Sequence, residues 1–212
     1  MRMRMAELSA ESGVPVATVK YYLREGLLPA GERTSPNQAR YSAAHVQRLK
    51  LIRALTDVGG LSLASVGAVL AAIDGDETPY EVMGVVQHEL AGDLPDVPED
   101  PSDEAFELLA AALRRHGWHE LKRGPAVQDL IATMVTVREL GHDRLLDQLE
   151  AYVRLALSVA EADMETVKGL GSVDRIIEAG VVGTVLGDRL FAGLRHLAQE
   201  MLSRELLSAR PS

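Results

Sequence analysis

Lys20, Tyr21 and Arg24 fall within five positions of one another in the stretch PVATVKYYLREGLLP. Each can donate hydrogen bonds to an anion. Lys20 and Arg24 can neutralise phosphates, the Tyr21 hydroxyl can donate to a phosphate oxygen, and Thr18 is short enough to approach the edge of a base. Contacts of this kind supply register and salt-dependent affinity. They hold a polyanion without transforming it. Other chemistry finds little support in the sequence. There is no cysteine, hence no disulfide framework, thiolate metal site or iron–sulfur cluster. No Ser/His/Asp arrangement stands in a recognisable context, no carboxylates pair at a characteristic spacing, and no glycine-rich phosphate loop occurs. Neither an enzyme nor a cofactor is expected. His116 and His119 flank the only tryptophan, Trp118, but Gly117 interrupts them and Glu120 is the one nearby carboxylate. No metal site is expected there.

The charge distribution says which part of the chain meets the polyanion. The 212 residues carry a net charge of −9. Residues 1–73 hold nine Lys and Arg against five acids, a net of +4, whereas residues 74–212 hold 13 against 26, a net of −13. A basic head on an acidic body directs a negatively charged partner to the head and repels it from the body. The hydrophobic content of 47% describes a globular chain with ample apolar surface to bury. No apolar run approaches the roughly 20 residues needed to cross a membrane. The start, MRMRMAELSAESG, has no apolar signal segment. A cytoplasmic protein without membrane contact is the expectation.

The elements that must position those side chains follow from periodicity. Met5–Ser12 reads as a short helix stopped by Gly13. Pro15 suits the first turn of a second helix, because its missing N–H would be unpaired there anyway. Val16, Val19, Leu23 and Leu27 make one apolar stripe at spacings of three and four. That stripe leaves Thr18, Lys20, Tyr21 and Arg24 towards the other side, with Tyr22 beside the stripe as a core residue. Gly26 is a natural terminator. Two short helices joined by a glycine turn form a helix-turn-helix whose second helix reads. The turn-rich AGERTSPNQARYS suits a hairpin wing, with Arg33 at one root and Arg40 and Tyr41 at the other. Ser42 caps a helix carrying Val46, Leu49, Ile52 and Leu55. Arg48, Lys50 and Arg53 on it are solvated or touch phosphate. Gly59-Gly60 ends it, and Ser62 caps a further helix through Ile73.

The order of these blocks resembles the DNA-binding domain of the mercury-resistance-regulator (MerR) family. TVKYYLREGLLP matches the family's reading helix, with its basic residue before two tyrosines and Gly-Leu-Leu-Pro a few residues on. ARYS matches the wing's close, and HVQRLKLIRAL the helix that follows. The resemblance covers about the first third of the chain. It departs from the family pattern at Leu23, where many members carry Glu, and at Ala17, where many carry a basic residue. It implies a winged helix-turn-helix with a small β wing, and it puts Arg40 and Tyr41 on the DNA backbone. It further implies a homodimer on double-stranded promoter DNA, distorting the duplex for RNA polymerase, with a C-terminal region that senses an effector. An alternative reading is an architectural DNA-bending protein, its helical body serving only for dimerisation.

Beyond residue 73 the pattern is all-α. Pro79–Leu90 reads as a helix, and AGDLPDVPEDPS, with three prolines and four acids, as a linker. Helices are expected over Asp103–His116, Pro125–Leu140, Asp143–Lys168 and from Ser172 towards Leu207. The resulting domains are a DNA-binding domain at 1–73, a connecting helix and linker at 74–102, and an all-α dimerisation or effector domain at 103–212. The apolar line of Asp143–Lys168 makes it the preferred dimer helix. Trp118, Met134 and Tyr152 are candidates to line a pocket for a small organic effector. Gly180, Gly183 and Gly187 each cost about 1 kcal/mol relative to alanine inside a helix. Close helix packing is the reason to look for.

Overall fold

The computed structural model describes residues 2–35, 38–92 and 97–208. It is mainly α-helical with one two-stranded antiparallel sheet, and it divides into two compact units. The first contains residues 1–78 and 180–212, the second residues 79–179.

In the first unit, helix α1 spans Met5–Ser12 and α2 spans Val16–Arg24. Gly13, at φ +70°, takes the left-handed position that ends α1. Side chains then tie the turn: Ser12 Oγ donates to the Leu8 carbonyl (2.7 Å) and Ser9 Oγ to the Val14 carbonyl (2.6 Å). Gly26, at φ +75°, lets the chain double back after α2, and the Leu27 and Leu28 amides donate to the Tyr22 carbonyl. Strands β1 (Glu32–Ser35) and β2 (Gln38–Arg40) form the wing, with Glu32 opposite Arg40 and an irregularity between Arg33 and Ser35. The Pro36-Asn37 tip of the expected hairpin lies outside the described residues. Met3 pairs with Tyr41 through two backbone bonds of 2.9 Å, fastening the N-terminal segment to the root of the wing.

Helix α3 (Ala43–Arg53) begins where the Ser42 amide donates to Nδ1 of His45 (3.1 Å), and it runs on into a π-helical turn at Ala54–Val58. Helix α4 (Leu63–Asp74) begins at Ser62, whose hydroxyl accepts the Ser65 amide at 3.0 Å. Leu8, Val14, Val19, Leu28, Leu49, Ile52, Leu55, Val66, Val69 and Leu70 are almost wholly buried and form the core of this unit. Arg48 reaches across it, donating to the Leu27 carbonyl (3.1 Å) and gripping both oxygens of Asp74 (2.9 and 2.5 Å). Of the three cations left open by the sequence on this helix, Arg48 is therefore a structural clasp. Arg53 pairs with Asp57 at 3.1 Å, and Lys50 is exposed.

The second unit packs α5 (Pro79–Ala91) and α6 (Glu99–Arg114) against α7 (Pro125–Glu139), with α8 (Leu149–Val167) against α6. Ala105, Leu109, Ile131, Met134 and Val135 make its core. Two boundaries differ from expectation. Helix α6 begins at Glu99, so the end of the expected linker is helical; Pro101 sits in the first turn, where a missing N–H leaves no bond unmade. Residues 93–96 of that linker lie outside the described residues. The expected long helix from Asp143 opens instead as a 3₁₀ segment, Asp143–Gln148, of the kind common at helix starts. Its apolar line packs at Leu146, Leu149 and Val153; Ala156, Ala160 and Met164 are exposed, and Val167 is half-buried. The 36-residue α9, Val173–Ser208, closes the chain. No helix among the described residues is long and apolar enough to cross a membrane.

Candidate nucleic-acid interface

Helix α2 and the wing together make a cleft of about 470 Å³. Lys20 lines it from the helix and Arg33 from β1. Val16 adds one apolar wall, Ser35 and Gln38 add neutral hydrogen-bonding groups, and Tyr41 lies at the base. The arrangement follows from local folding. Val19 and Tyr22 turn into the core, at 0% and 7% exposure, and that rotation points Lys20, Tyr21 and Arg24 outward. Tyr22 is thus a core residue, as its place beside the stripe suggests, while Val16 and Leu23 are only half-buried at the stripe's edges.

The outward side chains form a small cationic surface. The Arg24 guanidinium stands 5.1 Å from the centre of the Tyr21 ring, a cation–π contact, and its Nε donates to Glu25 at 3.0 Å. Lys20 and Arg33 are exposed, and Thr18 is half-buried on the same helix. Arg40 is half-buried on β2. Tyr41 differs from its neighbours. Its ring is only 5% exposed, stands edge-on to His45 (5.3 Å between ring centres), and lies where a side chain on Gly31 would have to go. Burial pushes its hydroxyl above the ordinary tyrosine range. Tyr22 is raised too, by burial first and then by the nearby Asp57. Sequence reasoning missed Ser35 and Gln38. Alternation along the wing strand carried the available signal, since Arg33 and Ser35 are two apart and share a face.

The expected effector residues have different surroundings. Trp118 is half-exposed in the loop after α6, where Gly117 (φ +86°) ends the helix; Met134 is in the core; Tyr152 is 42% exposed on α8. The second unit instead has a pocket of about 360 Å³ whose lining includes none of the three. Leu108, Leu146 and Leu149 form its apolar wall, and Arg115 and Glu150, paired at 2.6 Å, stand on its lining with Asp147. Among the described residues no group of three or more His, Asp or Glu side chains is gathered as a metal would need.

Known proteins share these features. Residues 3–73 match the family described as MerR HTH family regulatory protein. The mercuric resistance operon regulatory protein of Bacillus cereus is 36% identical over 77 residues, 36% of this chain and 58% of that protein. The nodulation protein NolA of Bradyrhizobium sp. (strain NC92) is 38% identical over 74 residues, 35% of this chain and 30% of its own length. The chain therefore spans less than two thirds of those two relatives. The mercuric resistance operon regulatory protein of Serratia marcescens is 31% identical over 112 residues, 50% of this chain and 74% of that protein. The solved structure of the candidate transcriptional regulator SCO5550 from Streptomyces coelicolor A3(2) superposes with a TM-score of 0.74 at 29% identity, over 99% of this chain and 100% of that one. The shared fold runs through the body as well as the head.

Proposed function

The chain belongs to the MerR family of helix-turn-helix transcriptional regulators, and from that premise we propose that it acts as a dimer on double-stranded promoter DNA, using α2 and the wing as one grip. The observation that carries the reading is the cleft with Lys20 on one wall and Arg33 on the other. Two cations facing a common groove suit a sugar–phosphate backbone, and a helix of nine residues beside it suits the major groove. In this reading Lys20, Tyr21, Arg24, Arg33 and Arg40 hold phosphates, Thr18 meets base edges, and the buried ring of Tyr41 sets the angle of the wing. A two-fold dimer reads a palindromic operator. Bending that operator costs a few kcal/mol, which sequence-dependent deformability modulates, and the bend aligns the promoter for RNA polymerase.

The second unit is the sensor in this proposal. A small organic effector enters the pocket walled by Leu108, Leu146 and Leu149, and its polar end competes for the Arg115–Glu150 pair. The test is thermal unfolding across a panel of small amphiphiles, since a ligand of the native state raises its apparent stability, by about 2.7 kcal/mol at a hundredfold excess over Kd. A hit whose shift disappears in Leu146→Asp supports the pocket. A hit unaffected by that substitution places the effector elsewhere.

A further inference from the structure

Val16, Ala17 and Thr18 form the first turn of α2. Ala17 shares the outward face with Lys20, Tyr21 and Arg24, at spacings of three and four. It is exposed, and Val16 and Thr18 flank it half-buried. The proposed grip leaves this turn almost without a reader. Val16 and Ala17 have no polar side-chain atom, and Thr18 has a single hydroxyl. No side chain of the turn can make the bidentate hydrogen bonds that distinguish guanine or adenine. The cations are elsewhere. Lys20 lies nearly one turn on and lines the cleft with Arg33. Arg24 leaves the helix about 10 Å further along the axis than Ala17. Its guanidinium stands 5.1 Å from the centre of the Tyr21 ring and donates to Glu25 at 3.0 Å. What the turn does offer is methyl groups, on all three of its residues.

We propose that Ala17 reads a thymine through its C5 methyl group, with Val16 closing the contact from the cleft side, so that specificity beneath the tip of α2 is apolar. This rests on the regulator reading above and names the base preferred there. The first residues of a reading helix are those that meet base edges in the major groove. Of the groups displayed in that groove the thymine methyl is the apolar one, and alanine is among the side chains that pack on it. The size of the residue suits the contact. A side chain of one carbon lets the backbone of α2 come close to the floor of the groove, where a longer one would hold it off. The wrong base is penalised as well. A purine in place of the thymine would press its N7 and its O6 or N6 group against Ala17, stripped of water, with only the Thr18 hydroxyl in the turn to answer them. The contact involves no charge, so it adds selectivity without adding to the salt dependence that the phosphate-holding cations bring.

The test uses the full chain and its preferred duplex, first defined by selection from a random pool. Each thymine of a half-site is then replaced in turn by deoxyuracil, which removes the methyl and leaves base pairing intact. At one position per half-site the replacement should weaken binding about fourfold, the worth of one buried carbon. That ratio should hold across a salt series while the affinity itself falls. Ala17→Gly should erase the discrimination at that position and at no other. Glycine weakens the helix, but a ratio between two duplexes that differ by one methyl does not register that loss. Ala17→Arg should move the preference there from A·T to G·C, through guanine O6 and N7. A half-site with no thymine sensitive to its methyl overturns the proposal, and so does a sensitivity that survives in Ala17→Gly. Sequence-selective binding with either of those results leaves the regulator standing. A protein that binds all duplexes alike, or none, overturns the regulator and this reading together.

Discussion

At the scale of single residues, the proposed grip turns on Lys20 and Arg33, whose exposure separates binding from folding. Replacing either with alanine should weaken DNA binding about equally for all sequences and lower the slope of log K against log salt by about 1. The thermal midpoint should hold, since neither side chain is buried. Arg48 should behave in the opposite way. Its side chain is 12% exposed and holds Asp74 and the Leu27 carbonyl, so Arg48→Ala should cost the head about 2 kcal/mol, read by thermal or urea unfolding. Nothing in the sequence separated Arg48 from Lys50 or Arg53, because the three differ only in what lies opposite, and Asp74 is 26 residues away. Tyr22 tells the converse story: its place beside an apolar stripe was sufficient to put it in the core. Its folded ionisation is raised, so its stabilising contribution is complete below the ordinary tyrosine value near 10 and is lost as pH rises through the folded value. Tyr22→Phe should therefore flatten the loss of stability above about pH 10, followed by circular dichroism.

Among the elements, the junction after α3 is the most constrained. The π-helical turn at Ala54–Val58 brings Gly59 against the Leu55 carbonyl and Val185, and Arg189 then donates to the Gly59 carbonyl. A methyl group has no room there even though the backbone conformation is ordinary, so Gly59→Ala should destabilise the protein by about 1–3 kcal/mol. An equal or higher midpoint in thermal unfolding would show that the contact with α9 is not a tight one. The Gly-Gly pair marked the end of a helix in the sequence, but the docking it permits was invisible there, because Arg189 lies 130 residues on. Elements governed by local signals were legible: both reading-domain helices, the wing roots, the Ser62 cap and α7. The start of α6 was not, since prolines and acids suggest a linker as readily as a first helical turn. The single expected helix from Asp143 failed similarly, because apolar spacing alone does not distinguish a 3₁₀ opening from an α-helix.

For the whole molecule, the net positive charge marks the chain's first third, where the family match at residues 3–73 also lies. The body was legible only as helical. Its pocket is assembled from α6, α7, the 3₁₀ segment and α8, and no periodicity says which helices will face one another. In the proposed reading the head grips DNA through α2 and the wing. The most direct measurement is binding of the purified protein to the DNA upstream of its own gene across a salt series, beside a Lys20→Ala/Arg33→Ala variant. A head that grips DNA in this way gives sequence-dependent binding that weakens with salt, and a slope reduced by about 2 in the variant. Binding whose affinity and salt slope are unchanged in the variant, or no binding even to random duplex at low salt, would contradict it.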